Sequence, residues 1–139
     1  MKNNLIEIQS KEDLIKPFQD GEKKHSNFKI GTEHEKFVFH LDTHKPVSFS
    51  EENGIENLLI ALKKYGWESI LEDGKTIGLS RNKSLGGGTI TLEPAGQLEL
   101  SGAPLVNIHE TFNELDEHRD QISEAVSYTH LTLPTILRV

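Results

Sequence analysis

Hydrophobic and polar positions along this chain alternate between helix-period and strand-period stretches. Ser10-Lys-Glu-Asp13 has the form of a capping box, with Asp in place of Glu or Gln. It predicts a helix with Leu14, Ile15 and Phe18 as its stripe. Pro17 disturbs that helix and Gly21 ends it. After a polar loop, Phe28 to Phe39 reads as a strand, and Asp42 to Pro46 as a turn. Ser50 is positioned to cap a second helix running through Tyr65. Ile55, Leu58, Leu59 and Leu62 lie on one face of it, and Gly66 stops it. Trp67 to Leu71 and Thr76 to Leu79 read as strands around a turn at Glu72-Asp-Gly-Lys75. A loop, Ser80 to Gly88, leads to strands Thr89 to Glu93 and Gln97 to Ser101, separated by Pro94-Ala-Gly96. Asn107 and Glu110 form a capping pair for a last helix, where Ile108, Phe112, Leu115, Arg119 and Ile122 follow helical spacing. Helices mixed with hairpin-type strands, without a βαβ rhythm, predict an α+β fold with a mainly antiparallel sheet.

The segment after Ala125 departs from this pattern. Val126-Ser-Tyr-Thr-His-Leu-Thr-Leu-Pro-Thr135 turns a charged helix into Thr/Leu alternation and contains no acid. It reads as the translation of a transposase-type sequencing adapter, against the alternative of a genuine C-terminal strand. Residues 126–139 are therefore expected to be a non-native tail, and the native chain to have been cut near Ala125.

Composition narrows the function classes. The 139 residues suffice for one domain with a modest core, and a net charge of −7 disfavours nucleic acid as a partner. There is no cysteine, hence no disulfide, zinc-thiolate site or thiol nucleophile. The first seven residues lack a signal-peptide core and no apolar run is long enough to span a membrane, so a cytoplasmic location is the default expectation.

The candidate chemistry is carboxylate chemistry. On a strand, residues two apart share a face, so Glu33 and Glu35 point the same way, followed by Phe37 and Phe39. In the second segment Ile90, Leu92, Leu98 and Leu100 form one parity. Glu93, Gln97 and Glu99 share the other if alternation continues through Pro94-Ala-Gly96. Four acids gathered on one face are costly without a cation, and a hard divalent ion carrying a phosphate would explain them. The wet side of an antiparallel sheet explains the spacing too, and at this level both readings stand. Leu85-Gly-Gly-Gly88 lacks the Lys-Ser/Thr ending of a phosphate-binding loop and reads as a hairpin connection. The histidines read mostly as surface residues or neighbours of the site, with His34 on the parity opposite to Glu33.

Two segments carry a family resemblance: Ile30-Gly-Thr-Glu-His-Glu-Lys-Phe37 and Ile90-Thr-Leu-Glu-Pro-Ala-Gly-Gln-Leu-Glu-Leu-Ser-Gly-Ala-Pro-Leu105. With Tyr65-Gly-Trp67, Ile77-Gly-Leu79 and Ile108-His-Glu-Thr111, they make residues 5–125 resemble glutamate–cysteine ligase of the plant and proteobacterial type. The resemblance implies the N-terminal portion, over 1–125, of a glutamine-synthetase-like catalytic domain whose antiparallel sheet curls into a funnel. It implies ATP- and Mg²⁺-dependent joining of the glutamate γ-carboxylate to the cysteine amine through an acyl phosphate, the first step of glutathione synthesis. Glu33, Glu35, Glu93 and Glu99 would hold Mg²⁺ and through it ATP; Gln97, on shared strand parity alone, is a candidate substrate or metal-shell contact. No side chain is assigned as catalytic, and the fragment alone is expected to be inactive. Two other readings are a related carboxylate–amine ligase using another amine, and a non-enzymatic α+β binding domain.

Overall fold

Ser10 opens α1 (Lys11–Gly21) with the expected capping box: its hydroxyl accepts from the Asp13 amide, and the Asp13 carboxylate accepts from the Ser10 amide at 2.8 Å. The computed structural model describes residues 7–127 and 131–132. No residue of α1 is buried, and Leu14 and Phe18 stand exposed, so its apolar stripe faces away from the core.

The first predicted strand is shorter than its hydrophobic pattern suggested. β1 spans Glu33–Lys36, and the chain breaks at Phe37 and Val38 before β2 (Phe39–His40). Upstream, Ile30 makes only an isolated bridge to Leu105.

Helix α2 covers Ile55–Leu62, starting five residues beyond the expected cap at Ser50. Gly54 explains the shift. A Cβ there would collide with the carbonyl oxygens of Ser48, Phe49 and Glu51, so the chain folds tightly over Gly54 before the helix begins. Ile55, Leu58, Leu59 and Leu62, spaced i, i+3, i+4, i+7, are all buried. The chain leaves through a short turn ending at Gly66, whose φ of 84° is the left-handed conformation that stops helices.

A hairpin follows, β3 (Glu68–Glu72) and β4 (Lys75–Ser80), closed by Asp73 and Gly74 at φ 49° and 80°. Positive φ at both turn residues matches the right-handed twist of the strands. β5 (Thr89–Glu93) and β6 (Gln97–Ser101) flank Pro94-Ala-Gly96, where Ala95 and Gly96 both take positive φ. The five strands form one antiparallel sheet in the order β1-β6-β5-β4-β3, as the α+β expectation required.

Leu79, Ile90, Leu98 and Leu100 form the buried underside of this sheet, beneath α2 and α3 (Ile108–Ser127). Each such side chain removed from water contributes about 1.5–3 kcal/mol. The Asn107 cap is present, its side-chain oxygen accepting from the His109 and Glu110 amides. The face on which α3 docks differs from the expected stripe. Ile108 and Phe112 are exposed, while Thr111, His118, Gln121, Ile122 and Ala125 are buried. Polar partners account for this: the Trp67 indole donates to Gln121 at 3.0 Å, and the Ala103 amide to Glu114 at 2.8 Å.

Of the segment read as a non-native tail, Val126 and Ser127 continue α3, and β7 (Leu131–Thr132) pairs with β2. Residues 128–130 and 133–139 lie outside the described residues. Among the described residues, no helix is long and apolar enough to cross a membrane.

Candidate functional site

The upper face of the sheet holds the acidic residues. Register fixes three rows across it. Glu33 lies opposite Ser101, which lies opposite Thr89. Glu35 lies opposite Glu99, which lies opposite Thr91. Gln97 lies opposite Glu93. The alternation expected through the Pro94-Ala-Gly96 bend holds, so Glu33, Glu35, Glu93, Gln97 and Glu99 share one face. Glu33, Glu35 and Glu93 are exposed, and Gln97 and Glu99 are partly buried.

The Glu35–Glu99 pair is the centre of this face. Like charges directly opposite each other on adjacent strands are destabilising, and here two carboxylates occupy such positions. Each finds a neutral donor. The Gln97 side-chain amide donates to Glu35, and the Ser101 hydroxyl donates to Glu99 at 2.9 Å.

Sharing a face is not the same as converging. Among the described residues, no group of three or more His, Cys, Asp or Glu side chains is arranged to hold a metal ion. The sequence expectation of four gathered carboxylates is met in facing and not in convergence. Strands stand about 4.8 Å apart and same-face neighbours on one strand about 6.8 Å, so four glutamates on three strands start from well-separated backbone positions. The donor set nevertheless fits Mg²⁺. It offers only hard oxygens, it opens to solvent, and Mg²⁺ typically takes one or two carboxylates together with waters and substrate phosphates.

The opposite side of β1 buries titratable residues, among them two of the histidines that were read from sequence as surface residues or neighbours of the site. His34 and His118 are buried, not at the surface, and Lys36 is buried with them. The Lys36 ammonium lies 2.8 Å from His34 Nδ1, and the two imidazoles meet edge to face at 6.2 Å. Burial, and then the Arg119 charge, pushes Lys36 down to about 7. His34 falls to about 4 through burial, then through Lys36 and Arg119. His118 falls to about 2, again chiefly through burial, with Lys36, His34 and Arg81 adding repulsion. Arg81 lies over the Trp67 ring at 4.3 Å and bonds Glu117 at 3.3 Å. The strand parity of His34 and Lys36 was the available signal, since it placed them with Val38 and against Glu33.

Comparison with known proteins shows the family to which these segments belong. The model of glutamate-cysteine ligase family 2 matches residues 29–135. The chain belongs to this family. It is 41% identical over 118 residues to glutamate–cysteine ligase A, chloroplastic, of Oryza sativa subsp. japonica, covering 85% of this chain and 23% of the relative. With the chloroplastic glutamate–cysteine ligase of Arabidopsis thaliana it shares 40% over 114 residues, which is 81% of this chain and 20% of the relative. The Medicago truncatula protein of the same name is 37% identical over 113 residues, 81% of this chain and 21% of its own length. The chain thus spans about a fifth of the length of these glutamate–cysteine ligases.

The names of these relatives also correct the expected cytoplasmic location, since all three are chloroplastic. That expectation rested on the lack of an apolar signal core. Plastid addresses are built differently, from Ser- and Arg-rich amphipathic sequence.

Proposed function

We propose that this segment supplies the acidic, Mg²⁺-binding part of a glutamate–cysteine ligase active site. In that reaction the γ-carboxylate of glutamate is activated at the expense of ATP and captured by the amine of cysteine. The observation that carries the reading is Glu35 facing Glu99 across β1 and β6 on an open face, with Glu33 and Glu93 beside them. Family membership supports it.

Glu33, Glu35, Glu93 and Glu99 would hold the metal. Mg²⁺, when bound, neutralises phosphate oxygens and orients them for transfer. The chain's own part is positioning. The strands fix the spacing of the carboxylates, and the buried leucines beneath keep the sheet rigid. Gln97 anchors Glu35 and borders the same face, which suits it to contact a substrate. The chain uses no side-chain nucleophile, in keeping with its lack of cysteine. The remaining phosphate and amino-acid contacts would come from the rest of a full-length protein, and the 139-residue chain alone is inactive.

The test is synthesis of γ-glutamylcysteine from glutamate, cysteine and ATP by a full-length protein carrying this segment. A panel of other amines tests the acceptor. Preference for cysteine supports the reading, and faster turnover of another amine replaces it with a related ligase. Peptide-bond formation by the 139-residue chain alone would contradict the division of the site.

A further inference from the structure

The junction at the ends of β1 and β6 is tied to α3 through one side chain. Glu114, on α3, accepts the Ala103 amide on Oε1 at 2.8 Å. The Gly102 amide donates to the Thr32 carbonyl at 2.7 Å. Thr32 precedes Glu33, and Gly102 follows Ser101, the residue that donates to Glu99. A Cβ on Gly102 would overlap Glu114 Oε2 and stand 2.7 Å from Thr32 Oγ1, so both atoms border the same bare side of Gly102. Both are buried and have no hydrogen-bond partner among the described residues.

An unpaired buried carboxylate oxygen costs about 1–3 kcal/mol or more, which a small adjustment of the neighbouring Thr32 side chain would relieve. We propose that Glu114 is a positioning residue for the acidic face. Its Oε1 holds the Ala103 amide, and a small shift of the Thr32 side chain, whose Oγ1 borders the same bare side of Gly102, brings that hydroxyl onto Oε2; together the two bonds lock the starting end of β1 to the finishing end of β6. The lock sets the separation of Glu33 from Ser101 and, through Ser101, the carboxylate of Glu99. Gly102 has no side chain because Glu114 occupies the space a Cβ would need. This inference rests on the proposed metal role of Glu33 and Glu99.

The experiment measures the Mg²⁺ concentration giving half-maximal γ-glutamylcysteine synthesis, with kcat at saturating Mg²⁺ and a thermal melt, in a full-length ligase carrying this segment. Glu114→Ala is expected to raise the half-maximal Mg²⁺ about tenfold, the equivalent of one charge-assisted hydrogen bond. Its kcat at saturating Mg²⁺ should stay within about twofold of wild type, since no group touching substrate is removed. Glu114→Gln, which can still accept from Ala103 and bond Thr32, should restore the wild-type requirement. If Glu114→Ala does not fold, Thr32→Val against Thr32→Ser decides, with the requirement raised in the first and restored in the second. An unchanged Mg²⁺ requirement in Glu114→Ala or Thr32→Val overturns the inference, as does a lower melting temperature without any change in the metal requirement. Glu33→Gln separates the two levels. If it raises the requirement while Glu114→Ala does not, the positioning role alone fails. If Glu33→Gln has no effect, the metal reading falls and this inference with it.

Discussion

Along β1, Glu33 and Glu35 stand in solvent, while His34 and Lys36, each one residue away, are only 6% and 2% exposed. The strand's two-residue period sorts four charged or titratable side chains into an acidic upper face and a basic underside. The two faces bear different costs. Exposed carboxylates remain hydrated, so the upper face can keep charge ready for a cation. The underside holds groups whose charged forms are disfavoured, and their values fall accordingly. Stability should therefore reside below the sheet and metal dependence above it, and substitutions on the two sides should separate these properties.

The largest expected effect on stability comes from below. Leu98 is completely buried, on β6 between Gln97 and Glu99. Leu98→Ala should cost about 2–5 kcal/mol in urea denaturation, the usual range for an emptied core position. A loss below about 1 kcal/mol would mean that the underside is not the core described here.

The next effect is acid sensitivity. His118 faces Lys36 and His34 from β1 and Arg81 from the loop after β4, with Glu114 and Glu117 alongside it on a cavity of about 10 Å³. Its folded value lies near 2 and its unfolded value near 6.5, so the unfolded state binds more protons between those limits. Stability should then be fully present above about pH 6.5 and fall as pH drops toward 2. His34 adds to the same loss between about 6.5 and 4. Denaturation of wild type and His118→Gln at pH 6.5 and 4.5 checks this, with a smaller loss expected in the variant. Equal losses would remove His118 from the account.

The smallest effect comes from above. Glu99→Gln removes one of two facing carboxylates and should change stability by less than about 1 kcal/mol, in the stabilising direction. Destabilisation on the scale of Leu98→Ala would break the distinction between the two faces.

The acidic face was legible in the sequence because period two survives the Pro94-Ala-Gly96 bend, leaving Glu93 paired with Gln97. The buried face of α2 was legible because its four apolar residues follow helical spacing without interruption. The docking face of α3 was not. Ile108 and Phe112 offered an apolar stripe, yet the helix buries Thr111, His118 and Gln121, and Gln121 bonds Trp67, which lies far away in sequence. The start of α2 was missed because Ser50 resembles a cap, while the crowding that fixes Gly54 exists only in three dimensions. The parity of His34, opposite to Glu33, was legible, while its burial with Lys36 and His118 depends on tertiary packing. Convergence of the four glutamates on one ion is a matter of side-chain geometry that alternation does not determine.

Binding of the metal used in the reaction is the role proposed for the upper face. Its most direct test is Mn²⁺ binding in the presence of ATP, measured by paramagnetic resonance on a full-length ligase carrying this segment, before and after Glu35→Gln with Glu99→Gln. A loss of affinity on the order of 100-fold is expected, in line with removal of groups that hold a catalytic ion, with the thermal melt unchanged or slightly raised. Wild-type Mn²⁺ affinity in the folded double variant would contradict it.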